Sequence, residues 1–229
     1  METDPTRGLD TPHEKNPSRY VATHDRVDAI RNVYRNVTMR VMRSGKRREI
    51  GSYLPELFEI VVGTGRRIGA VVRLRVEDLD LTETEAAPWG AIVWPEDTDK
   101  MEKRWRCPVG PIVREALEAA VRKRQRIGHV GGGYLFPGPF NPKSHVRYEA
   151  ARDWLRAAEK EAKLEPVRSH VFHAYRRLWA SARKDLPDVD VAQAGGWSSL
   201  QALKSAYQQP DERTMLKVVT HDAELREVG

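Results

Sequence analysis

The chain has 229 residues, 40% of them hydrophobic and 31% charged, which suits one large domain with a full core. No apolar run approaches the ~18 residues of a membrane span, and the polar, proline-bearing start METDPTRGLDTPHEKNPSRY has no apolar signal segment, so a cytoplasmic protein is expected. One cysteine, Cys107, excludes an intrachain disulfide and cysteine-rich zinc sites, and the formal charge of +6 with a pI near 9.5 suits a nucleic-acid partner.

Residues 1–20 read as a disordered leader or linker. From Thr23 the pattern turns helical, with Val27, Ile30, Tyr34, Val37 and Val41 spaced by three and four. Ser44, Gly45 and Lys46 make a turn, and a second apolar helix carries Leu54, Leu57, Phe58, Val61 and Val62. Gly63-Thr64-Gly65 stops it, and a short helix runs from about Arg67 to Leu74.

A β region follows. Ala91 to Trp94 is one strand, Trp105 to Val109 returns as a second, and Leu79 to Leu81 adds an edge strand. Between the first two lies a charged turn with Lys100 near its tip, and Lys103 and Arg104 compete for the same part. Cys107 sits in the returning strand and reads as packing.

The remainder is helical. Ile112, Val113, Ala116, Leu117, Ala120 and Val121 form one stripe, GHVGGG at 128–133 is a loop, and Tyr148, Ala151, Trp154, Leu155 and Ala158 form another stripe. Helices with His173, Tyr207 and Met215 follow, the last from about Asp211 to Val228. The fold class is therefore α+β, mostly helical with one small antiparallel β-sheet.

Three short stretches carry candidate chemistry besides the charged turn with Lys100. In VFHAYRR, His173 and Arg176 stand three apart and share a helix face, while Arg177 is rotated by about 100°. A guanidinium fork suits a phosphate. In GTGRRIG, glycines open the start of a helix, where backbone amides also favour an anion. In GGWSSLQALKSAY, the Trp197 indole N–H follows two glycines, and the Tyr207 phenol needs nearby cations or a base to act as a nucleophile. His170 and His173 make too small a set for a metal site. Each stretch alone also reads as ordinary helix surface, corner or core.

Their order is more telling. Arg67, Lys100, His173, Arg176, Trp197 and Tyr207 stand in the sequence order of the catalytic set of tyrosine recombinases, the phage integrase family, and the chain resembles that family from about residue 20 to 225. GTGRRIG resembles the TG-x-R motif, which assigns the first arginine to Arg67 and not Arg66. DKMEKRWRCPV resembles the lysine hairpin, with Lys100 eight residues before Pro108. HAYRR is similar to the H-x-x-R-H box, with Arg177 in the last place. GGW resembles the G-H/W box, and SAYQQPD carries the tyrosine. Ala70 stands where the family often has an acidic residue.

The resemblance implies a catalytic domain over residues 21–229 without the family's separate N-terminal DNA-clamping domain. It implies double-stranded DNA as substrate, a 3′-phosphotyrosyl intermediate formed by Tyr207, and a homo-tetramer on paired sites. No cofactor, metal or small-molecule substrate is implied. Two other readings stand beside it: a type IB topoisomerase-like relaxing enzyme, and a DNA-binding remnant that no longer recombines. Arg147, Arg152, Arg156 and Lys143 are candidates for reading bases.

Overall fold

In the computed structural model the described residues are 19–43, 46–96, 104–167, 170–210, 214–216 and 218–219. Helix α1 spans His24–Val33, and Thr23 caps it by accepting from the Arg26 amide at 3.2 Å. Its buried face holds Val27 and Ile30.

The helix expected to reach Val41 ends earlier. A 3-10 turn, Tyr34–Asn36, leads into β1 (Thr38–Arg43), which pairs antiparallel with β2 (Lys46–Gly51). Val37, Met39 and Val41 are buried while Thr38 and Arg40 are exposed. That is the alternation of a strand, and Tyr34, Val37 and Val41 happen to fit the helical spacing as well. A second small sheet therefore joins the one that was expected. Of the expected turn, Ser44 and Gly45 lie outside the described residues, and Lys46 begins β2.

Helix α2 (Leu54–Thr64) forms the centre of the core, with Leu54, Leu57, Phe58, Ile60 and Val61 fully buried. Phe58 meets Tyr175 edge-on at 5.0 Å and Tyr34 at 6.2 Å. Gly65 ends α2 in the left-handed conformation (φ 65°), and a Cβ there would strike the Trp179 ring at 2.4 Å. Helix α3 is shorter than expected, Ile68–Val72. Strands β3 (Leu79–Asp80), β4 (Ala91–Trp94) and β5 (Trp105–Pro108) form an antiparallel sheet in the order β3-β4-β5, so β3 is an edge as the sequence suggests.

Helices α4 (Pro111–Arg126), α5 (Tyr148–Glu161) and α6 (Val171–Ser181) surround α2. Helix α7 (Asp188–Gly195) and a helical turn α8 (Leu200–Ala202) follow, and α8 runs into a π-helical turn, Leu203–Tyr207. Residues 214–216 and 218–219 are helical, within the last expected helix; Met215, Leu216, Val218 and Val219 are exposed there.

Buried charges tie these layers together. Arg26 on α1 pairs with Glu159 on α5 at 2.7 Å and donates to the Tyr175 hydroxyl on α6 at 3.3 Å. Arg156 takes the other Glu159 oxygen at 2.8 Å and a donor contact to the Val167 carbonyl, so its fork is committed inside the fold. By contrast, Arg152 pairs with its exposed neighbour Asp153 at 2.8 Å on the surface of α5. Arg124 is buried and closes the GHVGGG loop by donating to the carbonyls of Gly131, Gly132 and Tyr134. Among the described residues no helix is long and apolar enough to cross a membrane.

Candidate functional site

Five of the six candidate residues meet where the end of α2, helix α6, the end of α7 and the π-helical turn come together. Lys100 lies outside the described residues.

Arg176 is the centre. It is 1% exposed, and Nη1 donates to the carbonyls of both Gly65 and Gly195. Its Nη2 reaches the Gly196 carbonyl at 3.4 Å. Its guanidinium lies 3.6 Å from the centre of the Trp197 ring and 5.1 Å from that of Tyr207. Backbone carbonyls and aromatic faces thus hold the cation in place.

Arg67 stands at the N-cap of α3, half-buried. Its Nη1 donates to the Gly196 carbonyl at 3.1 Å, the same oxygen that Arg176 uses. Ala70 is 1% exposed and supplies no carboxylate; the Gly196 carbonyl contributes to orienting Arg67 in its place.

Trp197 is 3% exposed, lies against Trp179 with centroids 6.0 Å apart, and meets Tyr207 edge-on at 5.0 Å. Its indole N–H is buried with no hydrogen-bond partner among the described residues. An unpaired buried donor is costly, and beside two arginines it is placed to donate to an anion. Small residues make the fit. A Cβ on Gly195 would fall 1.9 Å from the Trp197 ring, and Gly196 turns the chain at φ 73°.

Tyr207 ends the π-helical turn, half-buried against the small cluster that holds Trp197. Ser181 fixes its backbone: the hydroxyl donates to the Tyr207 carbonyl at 3.2 Å and accepts from the Gln209 amide at 3.0 Å. The His173 ring lies 6.1 Å from the Tyr207 ring and 5.3 Å from His170. Burial, then the nearby Arg176, His170, Arg177 and Arg67, push the His173 imidazole down to about 4, so it is neutral near pH 7. A neutral imidazole can accept a proton.

Arg177 donates to the Tyr20 carbonyl at 3.0 Å, and its charge still reaches His173. Sequence reasoning missed Arg66, Trp179 and Ser181 as supports. Arg66 is 1% exposed and donates to the last carbonyls of α7, Gln193 and Ala194, each at 2.8 Å. Its guanidinium lies 4.8 Å from the Trp94 ring, at the end of β4 that leads to the Lys100 hairpin. Trp179 donates its indole N–H to the Gly63 carbonyl at 3.0 Å. The four glycines of GTG and GGW were the available signal, because close backbone approach invites large side chains to pack on them.

The fold is that of recombinase catalytic domains. Solved structures that share it include XerA recombinase (TM-score 0.65, 15% identity, 93% of this chain and 66% of that one). They also include XerH site-specific recombinase bound to palindromic difH substrate in a post-cleavage complex (0.65, 16%, 87% and 52%). A third is the Tn1549 transposon integrase in complex with circular intermediate DNA (0.59, 13%, 95% and 69%). The chain spans about half to two thirds of the length of the first two. No curated protein matches it by sequence. The phage integrase family model matches residues 28–213, and the chain belongs to that family.

Proposed function

We propose that the protein is a tyrosine-type site-specific recombinase that cuts and rejoins double-stranded DNA through a 3′-phosphotyrosyl intermediate. The observation that carries this reading is the meeting of Arg67 and Arg176 on one backbone oxygen, with Tyr207 and Trp197 packed against the Arg176 guanidinium.

The Tyr207 hydroxyl attacks phosphorus, and the bond from phosphorus to the 5′-oxygen breaks. His173, neutral before the step, takes the phenolic proton. Lys100 is assigned by resemblance to protonate the departing 5′-oxygen. Arg67 and Arg176 neutralise charge on the non-bridging oxygens, and the Trp197 indole N–H donates to one of them. A 5′-hydroxyl from a partner strand then attacks in reverse, so the bond energy is retained and no nucleotide cofactor enters. A tetramer on paired sites is the assembly such an exchange needs.

The test is a supercoiled plasmid with two copies of the DNA that flanks the gene. Recombinant circles are expected. Relaxation without recombinants would assign the protein to a relaxing enzyme, and intact plasmid despite clear binding would assign it to a non-cutting remnant.

A further inference from the structure

The β1–β2 ribbon holds most of the chain's excess charge. Residues 38–51 include Arg40, Arg43, Lys46, Arg47 and Arg48 against a single acid, Glu49, a net +4 of the chain's +6. Arg40, Lys46, Arg47 and Arg48 are exposed, and no ion pair joins any of them to a described residue. Glu49 is engaged by the Thr38 hydroxyl.

The ribbon's register leaves its exposed cations poorly matched. Met42 stands opposite Arg47 and Val41 opposite Arg48, while Arg40 opposite Glu49 is complementary. Cations gathered on one exposed ribbon raise the local positive potential, which a polyanion relieves. One face is also fixed: Val37, Met39 and Val41 lie in the core, so the ribbon is anchored at its base. An anchored two-stranded ribbon matches the ~12 Å width of a DNA major groove, and its cations match the phosphates along the groove's edges.

The ribbon is outside the site. It joins α2 at its start, and the 11 residues of α2 place Gly65 about 16 Å further along at ~1.5 Å per residue. That distance corresponds to about five steps of duplex at ~3.4 Å each.

We infer that the β1–β2 ribbon is a DNA-gripping element that binds the phosphate backbone on the flank of the cleaved bond, through Arg40, Lys46, Arg47 and Arg48. The inference rests on the recombinase reading above, since it takes duplex DNA as the partner.

The test compares the full chain with two triple variants, Lys46→Gln/Arg47→Gln/Arg48→Gln on the ribbon and Arg122→Gln/Lys160→Gln/Lys163→Gln elsewhere. The probe is a fluorescent 40-base-pair duplex, titrated at several salt concentrations, with melting temperatures to show that both variants fold. Each phosphate contact contributes about 0.9 to the salt slope, so the ribbon variant should lose about 2.7 from it and bind at least about tenfold more weakly at low salt. The control should keep the slope. An unchanged ribbon variant, or an equal loss in the control, would overturn the ribbon alone. A wild-type chain that binds no duplex would overturn the recombinase reading and the ribbon with it.

Discussion

The Gly196 carbonyl accepts from Arg67 Nη1 at 3.1 Å and from Arg176 Nη2 at 3.4 Å, which sets two cations on one backbone oxygen. Two guanidinium groups this close repel unless an anion joins them. The loss of either should therefore cost chemistry more than affinity. Arg67→Lys keeps the charge but loses the fork, and should slow cleavage by about 10²-fold or more while DNA affinity stays within a few-fold. Single-turnover cleavage rates and anisotropy binding on the same duplex check it. Equal losses in both would contradict the account.

Arg66 should behave as a support. Arg66→Met takes the donor from the Ala194 carbonyl, leaves the Gln193 carbonyl with the Gly196 amide alone, and removes the cation from Trp94. A buried group left unpaired costs about 1–3 kcal/mol, so a loss of about 2 kcal/mol in chemical denaturation is expected. Cleavage should fall too, because the same carbonyl segment leads into Gly195 and Gly196. Stability within about 0.5 kcal/mol of wild type would show that the contacts carry little weight.

Gly195 is a steric requirement. Gly195→Ala puts a Cβ into the Trp197 ring, and overpacking of this kind costs about 1–3 kcal/mol. Gly51→Ala, where nothing lies within 4 Å, is the matching control and should be nearly neutral. Thermal melts of the two variants separate the cases.

His173 gives a pH signature. Its value is lowered from about 6.5 to about 4 by burial and surrounding cations. Between those two values the unfolded chain takes up a proton that the folded chain refuses, so stability falls as pH falls from about 6.5 to about 4, with no further loss from this group below that. His173→Gln removes this component. The melting temperature of wild type should drop more between pH 7 and pH 4.5 than that of His173→Gln. Equal drops would mean the imidazole is not held neutral.

Much of this fold was legible where one periodicity dominates. Helices α2, α4 and α5 each repeat an apolar stripe long enough to admit no second reading, and Ala91 to Trp94 is a short apolar run bounded by turn residues. The segment after α1 was misread because Val37 and Val41, four apart, satisfy both a helix and a strand, and burial of Met39 decided the matter. At the site, the order of motifs marked residues by type, and five of the six converge; the hairpin lysine, Lys100, is outside the described residues. The supports were not legible. Arg66 reads as a surface arginine until the last turn of α7 closes on it, and Arg156 reads as a base reader until Glu159 is seen to hold it. Such contacts join residues about 130 apart or depend on burial, and a local pattern does not encode them.

The central claim is that Tyr207 becomes covalently joined to DNA. The measurement is covalent capture on nicked duplexes tiled across the DNA that flanks the gene, read as a denaturant-stable protein–DNA band, with Tyr207→Phe beside wild type. No described residue bonds the phenol hydroxyl, so Tyr207→Phe should fold and bind DNA as wild type does. The account predicts a band in wild type that is lost in Tyr207→Phe. A band of equal strength in Tyr207→Phe, or no band from a wild-type chain that binds the duplexes, would contradict it.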